Sequence, residues 1–123
     1  MGVEEIIEII NKKIKDAAPI LSREYGMSWT DESFELISET VTEILQADRV
    51  SIESFAKKEG VSVCELENAT QEILREMFVQ AMKNGRKEVL PEDFRLALTT
   101  LQWHIFPFCK SGERSGGIGI RGP

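Results

Sequence analysis

The chain has 123 residues, enough for one domain around one core, and its 41% hydrophobic and 29% charged content is that of an ordinary globular protein. No apolar run approaches the ~18 residues that a membrane span needs. The net charge of −6 is unevenly spread: residues 1–85 carry nine Lys/Arg against 17 Asp/Glu, a balance of −8, and residues 86–123 carry six against four, or +2. An acidic body argues against wrapping DNA by charge alone, while leaving room for a small basic contact in the last third. The opening "MGVEEIIEII" lacks the basic start and small-residue cleavage site of a signal peptide, and Gly2 lacks the Ser or Thr of a myristoylation signal. The expected location is intracellular: nuclear if the source is eukaryotic, cytoplasmic otherwise.

Helical periodicity runs through nearly every segment. The first helix is expected from Val3 to Leu21 or Arg23, with Ile6, Ile7, Ile10, Ile14, Ala17, Ala18 and Leu21 on one face. Pro19 should kink it or end it near Ala18. Gly26 then supplies a turn. Thr30 reads as the N-cap of a second helix reaching about Gln46, with Trp29 and Phe34 at the positions of a hydrophobic staple. Phe34, Ile37, Val41, Ile44 and Leu45 should face inward. Ser51 is expected to cap a short helix Ile52–Glu59, stapled by Val50 and Phe55 and closed by Gly60. Ser62 and Glu65 have capping-box spacing at the head of the longest expected helix, Val63–Asn84. Its stripe is Leu66, Ala69, Ile73, Met77, Phe78, Ala81 and Met82, and Gly85 is its C-cap. In "GRKEVLPEDFRLAL", Pro91 fits the first position of a last helix, with Glu92 and Asp93 in its positive first turn. Phe94, Ala97, Leu98, Leu101 and Ile105 form its inner face, and Pro107 stops it. One all-α domain over 1–108 is expected, followed by a flexible, Gly-rich basic tail over 109–123.

No catalytic constellation emerges. Cys64, Cys109 and the single His104 are far apart, which makes no zinc site, and the two cysteines read as buried or half-buried free thiols. No phosphate-binding glycine loop is present, and "SGGIGIRG" has neither a preceding strand nor a following helix. The expectation is a non-enzyme with no cofactor, metal or small-molecule substrate. "SIESFAKKEGVSVCELENA" has helix-turn-helix spacing, with Ala56 at the close approach and Gly60 at the turn. The second helix would present Glu65 and Glu67 to a polyanion, so a plain packing corner is the better reading.

The segment from Ser51 to about Trp103 resembles a histone fold: a short helix, a long central helix, then a loop and a last short helix, here with an extra N-terminal helical hairpin. "MKNGRKEVLPEDFRLALTTL" carries the resemblance, through a Gly/Arg/Lys loop, a short extended stretch, an acidic helix start and an Ala/Leu-rich last helix. The transcription-factor branch, the NF-Y and TFIID-associated subunits, looks closest. Two departures stand out: Val63–Asn84 is shorter than the usual central helix, and the loop Gly60–Ser62 is short. A second placement starts the fold earlier, at "AAPILSREYGMSWTDESFELISETVTEIL". The stretch "VCELENATQEILREMFVQAMKNGRKEVLPEDFRLAL" is also similar to the helical lid of AAA-type ATPases, although no nucleotide-binding module accompanies it.

The histone-fold resemblance implies pairing with another histone-fold chain or with itself, in transcription or chromatin. Ile73, Met77, Phe78 and Met82 would be buried against the partner, and Val89 would pair with a strand from the partner's first loop. Arg86 and Lys87 would approach DNA phosphates. The alternative is a stand-alone helical adaptor or regulatory module, lid-like or helix-turn-helix-like, in which the first helix covers that stripe within one chain.

Overall fold

The computed structural model describes residues 1–103 and 106–108. Five helices follow one another: α1 (Val3–Tyr25), α2 (Asp31–Ala47), α3 (Arg49–Glu59), α4 (Val63–Lys83) and α5 (Pro91–Thr100). The protein is all-α; the described extended structure is a single parallel bridge between Ser28 and Glu88. Among the described residues, no helix is long and apolar enough to cross a membrane.

Helix α1 continues through Pro19 to Tyr25, so it does not end near Ala18. An internal proline costs about 3 kcal/mol. Here the cost is met by packing, since Ala17, Ala18, Leu21 and Ser22 on both sides of it are buried. The Pro19 carbonyl also accepts the Ser22 hydroxyl at 2.7 Å. The helix ends at Gly26 (φ 64°), where the Met27 amide donates to the Ser22 carbonyl at 2.8 Å. Its other end is capped from a distance: the Val3 amide donates to Glu53 of α3 at 3.1 Å.

Thr30 caps α2 as expected. Its hydroxyl accepts from the Ser33 amide at 3.1 Å, while the Thr30 amide donates to the Ser33 hydroxyl at 3.2 Å. Helix α3 begins at Arg49, two residues before the expected cap at Ser51. Asp48 serves both helices: its amide donates to Ile44, closing α2, and its carbonyl accepts from Ile52, opening α3. Arg49 holds this corner, reaching Gln46 at 2.9 Å and Glu4 at 3.0 Å. Val50 is left 78% exposed, so the expected staple with Phe55 does not form.

One core cluster draws on all five helices and on Trp103, Phe106 and Phe108. Helices α1 and α4 make its most extensive pair. Their neighbours advance together. Lys12 faces Glu67, Lys13, Asp16 and Ile20 share a groove with Gln71, and Tyr25 stacks on Phe78 with ring centroids 5.9 Å apart. The two helices therefore run in the same direction, and each is followed by a loop and a shorter helix. Helix α3 lies against α1 and α2, so the helix-turn-helix spacing does not yield a packed α3–α4 pair.

Candidate functional site

The loop between α4 and α5 is the segment that the sequence singles out. Its first residue with special geometry is Gly85 (φ 71°). The Gly85 amide donates to Met82 and the Arg86 amide to Ala81, both at 3.0 Å, and this double bond closes α4. A left-handed residue is required there, and glycine adopts it without steric cost.

Arg86 turns inward. Its guanidinium donates twice to Asp93, at 2.7 Å on each carboxylate oxygen, and once to the Glu88 carbonyl at 3.2 Å. Asp93 is fully buried, and its Oδ2 also accepts from the Leu90 amide at 2.8 Å. The carboxylate thus satisfies the amide of the N-cap residue itself, the reach-back half of a capping box, while the Asp93 amide donates to the Leu90 carbonyl at 2.9 Å. Hydrogen bonds to Asp93 hold the Arg86 guanidinium above its ordinary value, so it stays charged throughout the working pH range. A two-pronged arginine–carboxylate contact of this kind is directional as well as charged. Arg86 is therefore committed to internal structure, with 24% of its side chain exposed. Lys87 is exposed beside it.

The residues expected to meet a partner divide. Ile73, Met77 and Phe78 are completely buried, and Val89 is 3% exposed. Phe78 is enclosed by Tyr25 and by Trp29, whose ring centroid lies 6.2 Å away. Met82 is 49% exposed, contrary to its expected place in the buried stripe. The reason is length: α1 ends at Tyr25, which meets Phe78 one turn before Met82. Glu88, next to Val89, forms a parallel bridge to Ser28 within the chain. The Ser28 amide donates to the Lys87 carbonyl at 2.7 Å.

Cys64 corrects another expectation. It lies exposed in the first turn of α4, ahead of Leu66, the first buried residue of that helix, and its Sγ accepts a weak contact from the Asn68 side-chain Nδ2 at 3.7 Å. His104, Ile105, Cys109 and the expected tail lie outside the described residues. Among the described residues, no group of three His, Cys, Asp or Glu could hold a metal. Open grooves mark the surface formed by the described residues. One of about 310 Å³ is framed by Trp29, Phe34 and Pro19, with Lys15 and Asp31 at its rim, and Lys15 sits 5.9 Å over the Phe34 ring.

The Arg86–Asp93 clamp escaped sequence reading, which treats Asp93 only as a favourable charge in the first turn of α5. The available signal was the spacing: an acid three residues after the N-cap position can reach back to the amide of that residue. Comparison with protein-family models, with curated proteins and with solved structures finds no match.

Proposed function

We propose that this protein is a non-catalytic helical interaction module that completes its own fold within one chain. The observation that supports this reading is the position of α1. Its apolar face, from Val3 to Leu21, is buried in the same core as Ile73, Met77 and Phe78 of α4. The surface that a histone-type partner would need is thereby occupied. Of the two resemblances, the lid-like one accommodates this closed arrangement more easily. What stays outward is a set of shallow amphipathic grooves, such as one of about 200 Å³ with Leu36 and Leu90 between Glu32 and Glu88. Such grooves accept single side chains of a partner rather than a whole helix. Light scattering on the purified chain is expected to give a folded monomer. A tight dimer that unfolds when diluted would overturn the reading.

A second reading keeps the histone-like kinship and its role in transcription or chromatin. It is favoured by the parallel bridge between the two inter-helix loops, the contact that the resemblance assigns to two chains. Two helix–loop–helix halves, α1–α2 and α4–α5, would then form the histone-like pair inside one chain. Contact with DNA would fall to Lys87, because Arg86 is engaged by Asp93. A salt titration of duplex binding decides it. If Lys87 touches a phosphate, Lys87→Ala lowers the slope by about one unit, and absence of binding at low salt removes DNA from the account.

A further inference from the structure

We infer that the groove between Leu36 and Leu90, with the outward face of α2 beside it, docks a basic amphipathic segment of another protein: lysines or arginines around one apolar side chain. This inference rests on the reading of the chain as an interaction module and gives the partner its chemistry.

The apolar part comes first. Leu36 is 45% exposed on α2. It opens onto a groove of about 200 Å³ that Val89 and Leu90 of the α4–α5 loop complete, with Glu32 and Glu88 at the rim. A groove of this size seats one side chain. Carboxylates beside it favour a residue whose neighbours are cations.

The helix continues that charge. No Lys or Arg occurs between Arg23 and Arg49, and α2 carries Asp31, Glu32, Glu35, Glu39 and Glu43. Helical spacing puts Glu32, Leu36, Glu39 and Glu43 on one stripe about 16 Å long. All five carboxylates are exposed, and among the described residues none of them is in an ion pair. Helix α1 differs, pairing Lys12 with Asp16 and Glu24 with Arg75 of α4. Glu35 and Glu39, and Glu39 and Glu43, are like charges four residues apart, which weaken a helix standing alone. An incoming cation relieves that repulsion.

Charge also sorts the occupants. Nucleic acid, an anionic lipid surface and a second copy of this chain, at −6, all bring like charge. A bare cation makes no use of Leu36. A basic segment with an apolar anchor uses both features, since Lys and Arg stems also cover apolar surface.

The test is fluorescence anisotropy on the full chain with a labelled amphipathic Lys/Leu peptide, beside a Leu-free lysine peptide and a Glu/Leu peptide. Saturable binding of the Lys/Leu peptide alone is expected, weakening as salt rises. Glu39→Lys with Glu43→Lys should weaken it at least about tenfold, and Leu36→Ser at least about fivefold. The double reversal turns the repulsion from Glu35 into attraction, so the fold is kept. Glu67→Lys with Glu72→Lys on α4, which does not pack on α2, makes the same change in net charge and should stay within about twofold. Equal losses from the two reversals would overturn the proposal, as would equal binding of the Leu-free peptide, binding of the Glu/Leu peptide or no binding at low salt. Light scattering on the same samples separates the two levels. A folded monomer that ignores the Lys/Leu peptide overturns this inference alone, and a dimer that unfolds when diluted overturns the module reading with it.

Discussion

At Thr30 the chain opens a helix with two hydroxyls; at Leu90 it opens one with a buried carboxylate and an arginine. The surroundings are otherwise alike. Each loop follows a long helix, begins at a left-handed glycine (Gly26 or Gly85), contributes one residue to the Ser28–Glu88 bridge and leads into a shorter helix. Thr30 is exposed, so water can meet what its hydroxyl leaves over, while the buried Ser33 hydroxyl bonds to Thr30. Asp93 is sealed from water, so its charge must be met in full, and Arg86 with the Leu90 amide does so. The difference shows how a basic loop on an acidic protein can have a structural purpose. The arginine that looks free for a phosphate is the counter-charge to an aspartate seven residues on.

The joint between the two halves should be the most sensitive point. Phe78 of the second half is enclosed by Tyr25 and Trp29 of the first. Phe78→Ala should cost about 4 kcal/mol, read as a lowered urea midpoint. A change under about 1 kcal/mol would mean that the halves do not lean on each other there. Next comes the clamp. Arg86→Ala leaves a buried carboxylate without its counter-charge and should cost about 3 kcal/mol. Thr30→Ala at the matching helix start should cost only about 1 kcal/mol. Equal losses at the two sites, in the same denaturation experiment, would erase the contrast between the loops.

The parts of the fold legible in the sequence are those governed by near neighbours. The turn at Gly26, the stops at Gly60 and Gly85 and the starts at Thr30, Ser62 and Pro91 each rest on a residue with one strong local preference, and the structure uses all six, although α1 runs on to Tyr25, past its expected end at Leu21 or Arg23. What was illegible depends on distant contacts. Pro19 reads as a breaker until α1 is seen packed on both sides of it. Ser51 reads as a cap until Arg49 is seen bridging α2 to Glu4. Ile73, Met77 and Phe78 read equally well as an interface or as an interior, because an apolar stripe does not say which helix will cover it. At the site, Lys87 is as exposed as its loop position suggested. Arg86 is not, because its partner Asp93 was read only through the helix dipole.

The smallest expected effect tests whether the loop has a surface role at all. Lys87 is exposed, and no ion pair engages it among the described residues. Its carbonyl holds Ser28, but its side chain is not part of that bond. Lys87→Ala should therefore leave stability within about 0.5 kcal/mol of the parent. The same substitution acts as a clean probe of binding, because any loss of affinity for duplex DNA or for an acidic protein could not be blamed on a weakened fold. Arg86→Ala does not offer that separation. If Lys87→Ala lowered the urea midpoint as much as Thr30→Ala, the side chain would have a structural contact after all. The two loops would then differ in more than the clamp.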